Sequence, residues 1–259
     1  MRTWPGSATT DRSPPTATLA TLHRAHIARI PFENLDIPLG RGIAVDLPSV
    51  QRKLVVARRG GYCYEHGVLF SAVLQRLGFR VDRLLARMGD PLIEPRPRSH
   101  MVLRVAEGDR VWLADVGFGS GLLEPIPLVE NEPHRQGVWD LRLMTGADGA
   151  WRLQEMRGGD WTTLMTFTEE PQYPVDVEVA NYNTSTNPAS PFVRRGIVVR
   201  KDETSVRSLV GHELSEERPG RPDHKRRIPG DRLGAVLRDD FGLRLSDTEI
   251  TMLDGYGDD

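Results

Sequence analysis

The sequence predicts an α+β fold, and three observations carry that prediction. Apolar residues recur at helical spacing over roughly the first 80 positions, and the period then changes to that of strands. The final stretch mixes the two patterns. Helices, then strands, then a mixed end argue against a regular βαβ alternation, and no internal repeat suggests a solenoid. At 259 residues and 29.0 kDa, the chain can bury one large core or a few small domains sharing one.

Residues 1–16 carry Pro, Gly, Ser and Thr without period and read as an extended arm. A helix follows at 17–27, with Leu19, Leu22, Ala25 and His26 near helical spacing. Pro31 ends it and leads into the tight apolar segment 32–38. Residues 48–58 suit a second helix with Pro48 in the first turn. The clearest helix runs from Tyr64 to Leu77, with Leu69, Val73 and Leu77 at i, i+4 and i+8 flanked by Phe70 and Leu74. Gly78 then reads as its C′ residue and Phe79 as the closing apolar contact. From residue 80 the strand candidates are 81–88, 101–106 and 111–116, with further strand-like pieces to about residue 180. Three prolines make 88–99 a loop. Residues 191–201 and 205–210 read as strands, 217–230 as a polar loop, and 231–241 as a final helix.

Composition excludes several classes. No stretch approaches the roughly 18–20 apolar residues of a spanning helix, and the first residues lack a signal-peptide core. A formal charge of −2 gives no global reason to bind nucleic acid or a membrane. A single cysteine excludes an internal disulfide and a Cys-rich zinc site, and no metal site is expected. These features point to a cytoplasmic globular enzyme. The three lysines, Lys53, Lys201 and Lys225, against an arginine-rich remainder reflect a GC-rich genome.

The lone cysteine, Cys63, stands where the turn Arg59-Gly60-Gly61-Tyr62 meets a helix start. Free cysteine is usually a small buried apolar residue. Paired glycines, which let a backbone approach a substrate, and a helix N-terminus, which favours a thiolate, are the case for a nucleophile. Its proton needs an acceptor. His23 and His26 lie on the first helix and read as structural, while His134, His212 and His224 sit in polar loops. His66 is one turn beyond Cys63, near the sulfur's own helix face, an awkward place for a base. His100 opens an apolar strand beside the Pro-rich loop, which suits the lip of a pocket. A Gly108-Asp109 turn would pair Glu107 with Arg110 and hence Val102 with Asp115. His100 and Asp115 then face the same side as diagonal neighbours, so Asp115 can orient the ring while its other nitrogen serves Cys63. A one-residue slip would put them on opposite faces.

These residues lie in segments that resemble the arylamine N-acetyltransferases, from about Thr18 to Leu253. Four segments carry the likeness: Ile30-Pro-Phe-Glu-Asn-Leu-Asp, Arg59-Gly-Gly-Tyr-Cys-Tyr-Glu-His, Ser99-His-Met-Val-Leu-Arg-Val and Ala114-Asp-Val-Gly-Phe-Gly. Asn187-Pro-Ala-Ser-Pro-Phe-Val and Phe241-Gly-Leu-Arg-Leu fit later segments. The resemblance implies a Cys-His-Asp triad of Cys63, His100 and Asp115 and ping-pong acyl transfer. No cofactor is bound. Acetyl-CoA, or another acyl thioester, is the co-substrate, and an aromatic amine or hydrazine is the acceptor. It also implies a cysteine-proteinase-like fold with a helical domain (1–80) carrying the nucleophile, a β-barrel domain (81–190) carrying His100 and Asp115, and an α/β lid (191–259). Phe32, Phe118 and Gly119, the Arg96-Pro97-Arg98-Ser99 loop and Phe192 would border the substrate pocket. Glu33 and Arg59 would brace the cysteine loop.

There are departures from the family pattern. The first helix is missing, with only Arg2 to match its arginine, and Gly67 stands where the family has asparagine. A second branch, the amide synthases that release ansamycin polyketides as macrolactams, keeps the triad but takes a long acyl chain from an acyl carrier protein. A short length, a missing front helix and Gly67 would open space for such a chain. The basic loop Arg218–Arg227 would meet a coenzyme phosphate or an acidic carrier protein, or lie in solvent. A thioester hydrolase with the same triad would differ only in letting water compete.

Overall fold

The computed structural model describes residues 16–256. The expected arm, apart from Thr16, and the question of a missing first helix with its Arg2 lie outside the described residues. Helix α1 (Thr16–Arg29) leads to the two-residue strand β1 (Phe32–Glu33). Helix α2 (Leu47–Gln51) follows, capped by Asp46, whose carboxylate accepts the Ser49 N–H at 2.9 Å. The single helix expected over 48–58 is instead this turn plus a wider π turn over Arg52–Val56.

Helix α3 (Cys63–Arg76) is capped by Glu65, whose carboxylate reaches back to the Tyr62 N–H at 3.1 Å. It ends at Gly78, with positive φ, and the Phe79 N–H returns to the Leu74 carbonyl at 3.1 Å. The expected apolar stripe is only half right. Leu69 is buried, but Val73 and Leu77 are exposed, because the first three turns are enclosed on nearly every side.

Eight antiparallel strands follow: β2 (Arg80–Met88), β3 (Arg98–Glu107), β4 (Arg110–Ala114), β5 (Ile126–Pro127), β6 (His134–Gln136), β7 (Trp139–Thr145), β8 (Trp151–Arg157) and β9 (Asp160–Phe167). They order as β5-β4-β3-β2-β9-β8-β7-β6 and curl into a nearly closed barrel. Leu84, Val102, Leu113, Leu141, Leu153 and Met165 fill its core. The β3–β4 hairpin has the expected register, Glu107 opposite Arg110 and Leu103 opposite Ala114.

The strand-like pieces expected to about 180 end at Phe167, and the end of that stretch instead opens helix α4 (Pro174–Thr186). Val175, Val177 and Val179 alternate like a strand, yet its buried positions are Val177, Asn181 and Thr184, a helical face that is mostly polar. The expected strand over 191–201 begins as a short helix, α5 (Pro191–Arg194), with Ser190 as its cap and Pro191 in its first turn. Strand β10 (Ile197–Lys201) then pairs with β11 (Val206–Val210), β11 with β12 (Glu213–Glu217), and β12 with β13 (His224–Arg227). β13 lies inside the expected polar loop. All four of its side chains are exposed, so no alternation marks it, and its charges suit a sheet edge. Helix α6 (Gly230–Asp239) matches the expected final helix, but α7 (Asp247–Asp254) follows it.

β1 closes the far edge of this second sheet. Phe32 pairs with Val199 and bridges to Gly61, so one residue touches the cysteine loop and the late sheet together. Glu155 and Lys201, both buried, join barrel and sheet at 2.9 Å, with the ammonium over the Trp139 ring. Among the described residues, no helix is long and apolar enough to cross a membrane.

Candidate active site

Cys63 opens α3 and is buried, with its Sγ 3.7 Å from the Ser99 carbonyl. His100 arrives from β3, and its Nε2–H donates to Asp115 Oδ2 at 2.8 Å, just beyond the end of β4. Both are buried. Burial alone would depress the imidazole pKa, but the Asp115 carboxylate outweighs it. A hydrogen bond with Cys63 adds to this, and the ring is pushed up to about 10. His100 is therefore an imidazolium at neutral pH. Asp115 Oδ1 accepts the Gly117 N–H at 3.0 Å, which holds the carboxylate in place. Phe118 stands edge-on to the imidazole at 5.4 Å.

Cys63 and His100 lie in the wall of a cavity of about 750 Å³, within the range of small-molecule sites. Of the residues expected to border a pocket, Phe32, Arg96, Pro97, Ser99, Phe118 and Phe192 line it, and so do Met88, Glu94, Asn183 and Ser190. Arg98 does not; its guanidinium pairs with Glu170 at 3.4 Å. Gly119 lies behind Phe32, where an added Cβ would stand 3.0 Å from the Phe32 side chain.

Two glycines bear on the packing around Cys63. Opposite Gly67 the Met101 side chain occupies the space an added side chain would need, so Gly67 opens no room near the sulfur, contrary to expectation. At Gly117 an added Cβ would lie 2.8 Å from Cys63 Cα and 2.9 Å from its carbonyl oxygen. Backbone cannot give way there. Gly117→Ala is expected to lower stability by about 1–3 kcal/mol and to reduce kcat together with it, read by thermal unfolding and an amine-acetylation assay.

The cysteine loop rests on buried charges. Arg59 reaches Glu33 and Asp36, each at 3.3 Å, and Glu249 of α7 at 3.4 Å. Lys53 bridges Asp36 and Glu65, each at 2.9 Å. Burial raises the Glu65 carboxyl to about 7, with Lys53 pulling it back down. The expected Glu33–Arg59 brace is thus one contact in a larger network that ends on the last helix. Behind the loop, the Tyr62 hydroxyl donates to Asn181 and the Tyr64 hydroxyl meets Thr184 at 3.2 Å, so α4 backs the start of the Cys63 helix.

His66 turns away from the sulfur. Its Nε2–H donates to the Pro31 carbonyl at 3.3 Å, and its Nδ1 accepts from His26 at 2.8 Å. His23, read from the sequence as structural, is buried and accepts the Asp115 backbone N–H. Neither the α4 contacts nor the His23 contact has a local signal, because each joins residues about 90 or more positions apart.

Comparison with known proteins gives a consistent result. A family model described as N-acetyltransferase matches residues 16–250. An arylamine N-acetyltransferase of Escherichia coli K12 is 34% identical over 251 residues, covering 95% of this chain and 87% of the relative. The structure of an arylamine N-acetyltransferase from Mycobacterium abscessus superposes with a TM-score of 0.88 at 38% identity, covering 95% of this chain and 89% of that one. A Mycobacterium marinum arylamine N-acetyltransferase in complex with CoA superposes at 0.86 and 30% identity, covering 94% of each chain.

Proposed function

The chain belongs to the arylamine N-acetyltransferase family, and we propose that it forms amides by ping-pong transfer of an acetyl group from acetyl-CoA through Cys63 to an aromatic amine. The observation that carries this reading is the His100–Asp115 pair beside the buried thiol, in the wall of a cavity large enough for a thioester or an aromatic ring. In the first half-reaction the Cys63 thiolate attacks the thioester carbonyl. The C–S bond to coenzyme A breaks, and the leaving thiolate takes the proton of the His100 imidazolium. In the second, the amine attacks the acetyl-cysteine and His100 accepts the amine proton. The amide leaves with the Cys63 thiolate and the imidazolium restored.

Asp115 holds the ring in one tautomer and stabilises its charge, as the third member of a triad does. Phe32, Phe118 and Phe192 supply the apolar walls that would seat an arylamine, and Pro97 and Ser99 form the lip. In this reading residues 1–80 supply the nucleophile, 81–190 the histidine and aspartate, and 191–259 the cover. A single free thiol that must stay reduced suits the cytoplasm.

The test is intact mass after separate incubation with acetyl-CoA and with a long-chain acyl thioester, followed by peptide mapping. The expected result is a ready acetyl adduct on Cys63 that an arylamine discharges faster than water. Loading by the long acyl chain alone would overturn the acetyl reading in favour of macrolactam-forming amide synthesis from a carrier protein. Discharge by water at the same rate would make the enzyme a hydrolase.

A further inference from the structure

Asp115 stands one residue beyond the last β3–β4 ladder pair. Its backbone N–H donates instead to His23 Nε2, at 3.1 Å, on helix α1. Across the ring, Nδ1–H donates to the Leu123 carbonyl at 3.0 Å. One tautomer of a neutral imidazole satisfies both bonds. The ring is 0% exposed and packs edge-on to Phe70 at 5.7 Å. Burial lowers its pKa to about 4, so near neutral pH its Nε2 keeps a lone pair to accept with. Asp115 is thus held at both ends: its carboxylate by Gly117 and His100, its backbone by His23.

We infer that His23 is a positioning residue for acyl transfer, holding the Asp115 backbone N–H so that the Asp115 carboxylate meets His100 in line. This rests on reading Cys63, His100 and Asp115 as the triad. His23 carries no charge, so it acts through geometry alone. Without its acceptor a buried N–H is left unpaired, which is costly. The strand end then turns toward another acceptor and carries the carboxylate away from the imidazole.

Two near-isosteric variants separate positioning from packing. His23→Asn places an amide nitrogen where Nδ1 lies, keeping the bond to Leu123 and losing the one to Asp115. His23→Gln places a carbonyl oxygen where Nε2 lies, keeping the bond to Asp115 and losing the one to Leu123. A purely structural histidine would make the two variants alike. The readouts are the pH at which His100 loses its proton, followed by NMR of the full chain labelled with 15N-histidine, and kcat. The groups facing that ring are Asp115, Cys63 and Phe118.

The wild type and His23→Gln are expected to hold the His100 proton to about pH 10. His23→Asn is expected to lose it about one pH unit lower and to turn over about tenfold more slowly. Equal His100 midpoints in the two variants would overturn the inference. Asp115→Asn is the reference and must lower the midpoint. If it does not, the triad reading falls and the role of His23 falls with it; if it does while His23→Asn matches His23→Gln, the triad stands and only His23 is excluded.

Discussion

Cys63→Ala is expected to lower acetyl transfer by about 10⁴-fold or more, with the protein still folded. The expectation follows from what else the cavity offers. Thr184 and Ser190 line it with hydroxyls, but these donate to the Ala180 and Thr184 carbonyls. Neither meets an imidazole, and at Ser99, whose hydroxyl-bearing side chain also borders the cavity, an alcohol gives up its proton far less readily than a thiol. The sulfur is buried, yet its removal deletes a single heavy atom, which costs about 1 kcal/mol of packing. Activity and stability therefore separate: the acetylation rate collapses while the thermal midpoint shifts by only a few degrees. Cys63→Ser is expected to fail equally, since a hydroxyl gives up its proton far less readily than a thiol. Residual turnover above one part in a hundred would mean that the acyl group never passes through Cys63.

The second large effect is a steep loss of stability in mild acid. Burial lowers the pKa of His23 to about 4 and of His66 to about 4, and burial with the neighbouring His66 holds His26 well below its ordinary value. In the unfolded chain all three titrate near 6.5. As pH falls from 6.5 toward 4, the unfolded state takes up protons that the folded state refuses. Stability present above 6.5 is lost through that window. Glu65 works in the opposite sense, because a carboxyl raised to about 7 keeps a proton that the unfolded chain releases. It offsets one histidine, leaving a net uptake of about two protons, or roughly 3 kcal/mol per pH unit. His100 acts elsewhere: with its pKa raised to about 10, its stabilising contribution is complete below 6.5 and is lost as pH rises through 10. Urea-unfolding free energies at a series of pH values should trace this dome. His26→Asn should remove about one proton from the acid slope. A flat profile between pH 6.5 and 5 would show that these rings protonate freely in the folded protein.

The parts of this architecture legible in the sequence are those decided locally. The Cys63 helix carries its start and stop signals within a few residues, and the hairpin register follows from a turn of known length, which places His100 and Asp115 on one face as diagonal neighbours. What escaped was decided by distant partners. Helix α4 has valines alternating like a strand, and only its packing behind Tyr62 and Tyr64 makes a helix of them. Strand β13 has no apolar face to betray it. Helix α7 was readable, because Ser246 and Glu249 form a capping box three residues apart. Gly67 was readable as a departure but not in its consequence, since only the structure shows that Met101 fills the gap.

The short pairing of Phe32 with Val199 and Gly61 also bears on when chemistry becomes possible during synthesis. Cys63, His100 and Asp115 have all been made by residue 115, and the barrel can begin to close around them. One wall of the pocket still waits for a strand made more than 80 residues later. The brace on Arg59 waits longer, for Glu249. Contacts between such distant segments form late because the loop closed to make them is long. A growing chain therefore carries Cys63 well before it carries the enclosure around it, and on the proposed mechanism transfer belongs to the finished molecule alone.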